Sequence, residues 1–311
     1  PAMKLCQSLC TLMLVVLMPL CLLNAQAKGK TKEQAPKAEE KKEDKYNAST
    51  FSALKWRSIG PAVTSGRISD IDVNPRNHSE YYVASSSGGV WKTTNHGVTF
   101  QPIFDGEGSY SIGCVTIDPS NPSTIWVGSG ENNNQRSVAY GDGVYRSTDG
   151  GKSWKNMGLK TSEHIAKVIV DPKNSDIVYV AAYGPVWSEG GDRGVYKTTD
   201  GGATWTCVKS VSKYTGCNDL VMDPRDSRVL YAAFHQRMRK VFSYIGGGPE
   251  SALYKSVDGG ATWTKLEGGL PGGDIGRIGL DISPVNPDML YAVIEARDDK
   301  GGIYRTADRG A

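Results

Sequence analysis

The sequence predicts an all-β protein, a β-propeller of four-stranded blades repeated about every 50 residues. Three observations carry that prediction. First, the octapeptide Ser147–Trp154 (STDGGKSW) returns as Thr198–Trp205 (TTDGGATW) and as Ser256–Trp263 (SVDGGATW). Its aspartate, or an asparagine in its place, falls at Asn95, Asp149, Asp200, Asp258 and Asp308. Four residues upstream stands an aromatic each time (Trp91, Tyr145, Tyr196, Tyr254, Tyr304), followed by a basic residue. Second, a proline precedes another aromatic by seven residues in every unit: Pro75/Tyr82, Pro119/Trp126, Pro172/Tyr179, Pro224/Tyr231 and Pro284/Tyr291. Third, apolar pairs lie two and four residues before each proline: Val73/Ile71, Ile117/Val115, Val170/Val168, Met222/Leu220 and Ile282/Leu280. That is the period-two pattern of a strand.

Each element of the blade follows in order. Strand A ends before the proline, which opens a turn helped by Asp and Asn side chains. Strand B comes next, for example Ile177–Ala182. Strand C is the GVYKT-type segment, and strand D begins at the octapeptide tryptophan. The octapeptide is therefore the C–D turn. Its aspartate accepts backbone N–H groups, its glycines permit positive φ, and its tryptophan (Trp154, Trp205, Trp263) fills space between neighbouring sheets. The variant Asn95-His96 ending in Phe100 suits a turn better than a catalyst, so a structural role is expected for Asn95, Asp149, Asp200, Asp258 and Asp308. Trp56–Ile59 (WRSI) matches strand D without preceding strands. The chain stops at Arg309-Gly310-Ala311, inside the fifth such turn. An incomplete ring is expected over five blades closed by the strand of Trp56.

The chain ahead of the repeats is of a different kind. Met3-Lys4, an apolar run from Leu9 to Leu23 and Ala25-Gln26-Ala27 read as a secretory signal peptide cut after Ala27. Cys21 leaves a lipid-anchored alternative open, which the bulky Leu20 disfavours. Residues 28–50 hold too few apolar groups to bury and read as a disordered charged linker. The propeller then occupies 51–311. The formal charge of +3 resides in the leader and linker; the remainder is neutral. No footprint for nucleic acid, and no stable membrane insertion after signal cleavage, is expected. A secreted, periplasmic or cell-surface location follows.

Cys114, Cys207 and Cys217 remain after the leader. Cys207 belongs to strand D at the rim and Cys217 to strand A at the hub, so a bridge between them is disfavoured on geometry. The histidines fall in separate loops, and no metal or cofactor is expected.

Strand directions alternate, so A–B and C–D turns share one face and B–C and D–A loops the other. The second face varies in length and composition, as functional loops do. Its carboxylates Glu131, Glu189, Asp192 and Glu295 are the catalytic candidates, since glycoside hydrolysis needs a pair. Arg67, Asn133, Arg136, Tyr140, Trp187, Arg193, Gln236 and Arg237 are the ligand-binding candidates, an aromatic, amide and charged set that suits a sugar or a peptide.

The octapeptides resemble the Asp-box, or BNR, repeat. Together with Gly60–Pro75 (GPAVTSGRISDIDVNP) and Gly128–Gly151 they are similar to the sortilin-type N-terminal propeller of secreted bacterial proteins. The resemblance implies a propeller over about 51–311. Relatives of that kind include peptide-binding sortilins, sialidases and xyloglucan-chain-end glucanases with two propellers. The sialidase F/Y-R-I-P motif is missing, because Arg67-Ile68 is followed by Ser69. The expectation is a ligand-binding or protein-interaction module taking peptide, protein or carbohydrate. The alternative is a glycoside hydrolase acting on polysaccharide with its acids on the B–C/D–A face; a purely structural array is a third reading.

Overall fold

The computed structural model describes Thr50 and residues 52–54, 67–135 and 137–311. The leader, nearly all of the linker, the WRSI segment and Arg136 lie outside the described residues. The chain divides into two units, Pro1–Trp56 and Arg57–Ala311; the architecture below is that of the second.

Among the described residues it is a β-propeller arrangement of five antiparallel sheets, four following the A-B-C-D order read from the sequence and the fifth showing strands A to C. Blade 1 holds β1 (Ile68–Val73), β2 (Tyr81–Ser85), β3 (Gly89–Thr93) and β4 (Gln101–Pro102). Blade 2 holds β5 (Ile112–Ile117), β6 (Ile125–Ser129), β7 (Val144–Ser147) and β8 (Lys155–Gly158). Blade 3 holds β9 (Ile165–Asp171), β10 (Asn174–Ala182), β11 (Gly194–Thr198) and β12 (Thr206–Lys209). Blade 4 holds β13 (Thr215–Met222), β14 (Leu230–Arg239), β15 (Tyr244–Gly246), β16 (Ala252–Ser256) and β17 (Thr264–Leu266). Blade 5 holds β18 (Ile275–Ile282), β19 (Leu290–Ala296) and β20 (Gly302–Thr306).

The inner strands β1, β5, β9, β13 and β18 pack in series, and the core lies between consecutive sheets. Between blades 1 and 2 it comprises Tyr82, Ala84, Val90 and Phe104 against Ile112, Val115 and Ile117. Between blades 3 and 4, Tyr179, Ala181 and Val195 meet Leu220, Leu230, Ala232 and Phe234. Each fully buried aliphatic there contributes about 1.5–3 kcal/mol. Ile71 and Val73, expected inward, are half exposed, because no described blade packs on that flank of β1. The seams also carry carboxylates. Asp72 of β1 accepts the Ile117 N–H at 2.7 Å, and Asp219 of β13 accepts the Leu280 N–H at 2.8 Å. Each satisfies an inner-strand amide that has no partner strand.

The aspartate turns have the geometry that their residues dictate. Asp149 accepts the Ser147 hydroxyl at 2.8 Å, the Lys152 and Ser153 N–H groups at 3.0 and 2.9 Å, and the Ser153 hydroxyl at 2.6 Å. Asp200 and Asp258 repeat the pattern with Thr204 and Thr262. Asn95 keeps it through Thr93 and Thr99. Asp308 accepts the Thr306 hydroxyl. The residue after the aspartate has positive φ in every copy, glycine at 150, 201 and 259 but His96 and Arg309 in the outer two.

That same residue joins consecutive blades. The carbonyl of Gly150 accepts from Lys92 Nζ at 3.2 Å, Gly201 from Arg146 Nη1 at 3.0 Å, Gly259 from Lys197 Nζ at 2.9 Å and Arg309 from Lys255 Nζ at 2.7 Å. The proline-phased aromatic reaches the same acceptor, since Tyr82, Tyr179 and Tyr231 donate to the carbonyls of Gly150, Gly259 and Arg309. The basic residue lies over its ring in all four cases. At the three tyrosine seams both phased motifs of the sequence therefore meet at one carbonyl of the next blade; at the Gly201 seam Arg146 donates alone, and Trp126 Nε1 is buried without a partner. Trp154 and Trp205 add to the seam, donating to Ile103 O and Met157 O of the preceding blade, each at 2.8 Å. Trp263 instead donates to Gly260 of its own turn.

Cys114 and Cys217 are buried, Cys207 is exposed, and all three are free thiols. The sequence pattern does not reveal two features. Every inner strand has a register irregularity near its start, as at Ile68/Asp70, Ile112/Cys114 and Cys217/Asp219. The segment Phe234–Ser251, read as a loop, extends β14 to Arg239 and adds β15, paired Arg239↔Tyr244 and Arg237↔Gly246.

Candidate functional site

The B–C and D–A connections of blades 2 to 5 form the candidate face. Its base is a polar network. Glu131, buried to 1%, accepts Arg67 Nε at 2.8 Å and Asn133 Nδ2 at 2.6 Å, while its Oε2 is buried without a partner. The Glu131 carbonyl lies 2.8 Å from His164 Nδ1. Arg237 is fully buried, donating to Asn133 O at 3.0 Å and Gly184 O at 2.7 Å, with its guanidinium 3.2 Å from the Tyr183 ring centroid. The Tyr183 hydroxyl contacts His235 Nδ1 at 2.5 Å. Burial, reinforced by Arg237, pushes both His164 and His235 down to about 3, so each is neutral at ordinary pH. Burial also draws Arg193 and Arg237 down to about 10.

The remaining sequence candidates are dispersed. Arg193 is buried and donates to the carbonyls of Gly190, Tyr183, Pro185 and Ser188, closing its own loop. Gln236 Oε1 accepts the Glu250 N–H at 3.3 Å. Asp192 accepts the Thr161 and Tyr196 hydroxyls at 2.7 and 3.3 Å. Glu189 pairs with Lys213 at 2.8 Å and accepts the Tyr214 hydroxyl at 2.7 Å; those hydrogen bonds hold it below the usual carboxylate range. Tyr140 and Trp187 are exposed.

Glu295 alone of the four carboxylate candidates lines one of the described cavities with a second acid. A groove of about 390 Å³ runs between the β14–β15 hairpin and blade 5, lined by Tyr244–Gly247, Asp274–Gly276 and Glu295–Arg297. Glu295 Oε2 accepts the Arg277 N–H at 3.3 Å, and Asp274 lies 3.5 Å from Arg297. Asp274 and Glu295 stand on neighbouring chain segments, since Ile275 pairs with Ala296. Sequence reasoning missed Asp274 because it searched the B–C loops. The signal was its place in the D–A connection, directly after Pro271-Gly272-Gly273. Two carboxylates facing one groove are the elements of glycosidic bond cleavage, one acting as acid and the other as base or nucleophile.

Comparison with known proteins places this face in context. The family model described as "Sortilin, neurotensin receptor 3" matches residues 142–268. The chain is 26% identical over 234 residues to a xyloglucanase of Paenibacillus sp, covering 66% of this chain and 21% of that protein. It is 25% identical over 249 residues to the xyloglucanase Xgh74A of Acetivibrio thermocellus, covering 71% and 28%. It is 26% identical over 247 residues to a xyloglucanase of Hypocrea jecorina, covering 70% and 27%. The chain thus spans about a quarter of the length of these curated relatives. Among solved structures, the GH74 xyloglucanase of Xanthomonas campestris superposes with a TM-score of 0.58 at 18% identity, covering 78% of this chain and 37% of that one. The GH74 enzyme of Niastella koreensis gives 0.56 at 22%, covering 78% and 36%. These structures share the propeller fold. The expectation of a peptide- or protein-binding module is corrected here. The curated relatives are polysaccharide hydrolases, which favours the glycoside hydrolase alternative. The sequence misled because its repeats specify the scaffold, which the sortilin type shares, and not the chemistry of the loops.

Proposed function

We propose that this chain is a propeller of an exported glycoside hydrolase acting on a xyloglucan-type β-glucan, with the B–C/D–A face as substrate face. The observation that carries the reading is the pairing of Asp274 and Glu295 in one groove beside the half-exposed Tyr244. The xyloglucanase relatives supply the substrate class. In this reading Asp274 and Glu295 are the acid and the base or nucleophile. The other three carboxylates have structural duties: Glu131 is buried against Arg67, Glu189 is bound to Lys213 and Asp192 to Thr161. The signal-type leader supports export.

The test is reducing-end release from xyloglucan by the full chain, with Glu295→Gln and Asp274→Asn beside it. Release that falls at least 100-fold in either variant, with unchanged melting temperature, supports the assignment. Release that persists in both variants contradicts it.

A further inference from the structure

The geometry points to Tyr244 as a pre-set stacking platform for a pyranose unit of a neutral glucan, fixed over the groove by Asn134, Arg239 and Gly246. The inference rests on the glycan reading above and adds to it the residue that grips the chain.

Tyr244 is 51% exposed, yet it is held from three sides. Asn134 Nδ2 of blade 2 donates to its hydroxyl at 2.5 Å, across 110 residues of sequence. The Arg239 guanidinium lies 4.1 Å from its ring centroid, and the same guanidinium donates to Asn134 O at 2.8 Å. Tyr244, Arg239 and Asn134 therefore form a closed triangle. The third restraint is Gly246, two residues along the same strand and so on the same side of the ribbon. A Cβ there would stand 2.1 Å from the Tyr244 hydroxyl oxygen and 2.2 Å from ring carbon Cζ. Only glycine leaves the ring its place.

An exposed aromatic normally turns among rotamers and loses that freedom when it binds. Here the fold has already restricted it, which lowers the entropy cost of ligand capture. A ring with an apolar face and a polar rim matches a pyranose, whose axial C–H groups form a flat apolar patch ringed by hydroxyls. Asp274, Glu295 and Arg297, in the same groove, supply acceptors and donors for those hydroxyls. The hydroxyl of Tyr244 is engaged by Asn134 and one ring face by Arg239, so what the half-exposed side chain has to offer is the ring face turned away from Arg239.

The test is calorimetric binding of a xyloglucan heptasaccharide to the full chain. Tyr244→Ala and Gly246→Ala are each expected to weaken binding about tenfold. Tyr244→Phe, which keeps the ring, is expected to stay within about threefold. Tyr244→Leu keeps bulk against Arg239 without an aromatic face, and so separates stacking from support of the hairpin; it is expected to behave as Tyr244→Ala. Wild-type binding that survives within about twofold in Tyr244→Leu and Gly246→Ala overturns the platform and leaves the glycan reading standing. Absence of binding by wild-type protein overturns the glycan reading itself, and the platform with it.

Discussion

The Nζ of Lys197 in blade 3 donates a 2.9 Å hydrogen bond to the carbonyl oxygen of Gly259, in the aspartate turn of blade 4. The hydroxyl of Tyr179, buried to 2%, donates to the same oxygen at 3.0 Å. The pattern recurs at two further seams, Lys92 and Tyr82 on Gly150 and Lys255 and Tyr231 on Arg309, so the aspartate turn is a joint between blades as well as a turn. Removing one donor leaves the carbonyl satisfied; removing both leaves a polar group without a partner at a seam. Tyr179→Phe and Lys197→Met are each expected to cost about 0.5–1 kcal/mol, and the double variant to cost more than their sum. Denaturant titration of the four proteins measures the coupling. Strict additivity would contradict a shared acceptor.

Arg237 ties blade 4 to the blade 2 loop through Asn133 O and to blade 3 through Gly184 O. No carboxylate forms an ion pair with it among the described residues. Its work is to satisfy carbonyls and to cover the Tyr183 ring. Arg237→Met keeps much of the apolar bulk and orphans both carbonyls, so a loss of about 2–4 kcal/mol is expected. Amide hydrogen exchange at residues 131–135 should accelerate more than at the aspartate turns. Equal acceleration throughout would mean that Arg237 serves general stability and not the loop.

Two sets of carboxylates give opposite pH dependences. Burial raises Asp72 from 3.8 to about 6, helped by Asp70 and opposed by the Ile117 amide and Lys167. Between those values the folded chain keeps a proton that the unfolded chain has released, so stability from this site falls as pH rises from about 4 to 6. Asp72→Asn should flatten that slope. Asp200 and Asp258, hydrogen-bonded to Thr198, Thr204 and Thr262, are lowered to about 2. Their contribution is present above 3.8 and is lost as pH falls towards 2. Melting temperatures of wild type, Asp72→Asn and Asp200→Asn across pH 2–7 separate the two limbs. An Asp72→Asn profile parallel to wild type from pH 4 to 6 would contradict the assignment.

The blade order, the strand boundaries around each proline and the turn geometry were legible in the sequence because they repeat, and repetition exposes which residues are invariant. The site was less legible for the same reason, since the residues that differ between blades carry it. Arg193 and Arg237 read as ligand groups from the sequence; in the fold Arg193 in its loop and Arg237 on β14 donate to loop carbonyls that turn inward and need donors. Glu131 looked like a free acid because no pattern announces its partner Arg67, 64 residues away. Asp274 was passed over in a D–A connection. The β14–β15 hairpin had no such signal, because His235–Arg239 shows no alternation of apolar and polar residues.

The most direct measurement of the central claim is a crystal structure of the full chain soaked with a xyloglucan heptasaccharide. The account predicts sugar density in the groove between Tyr244 and blade 5, with a glycosidic oxygen within hydrogen-bond reach of Asp274 or Glu295. Well-ordered sugar bound elsewhere on the propeller, with this groove empty, would contradict it.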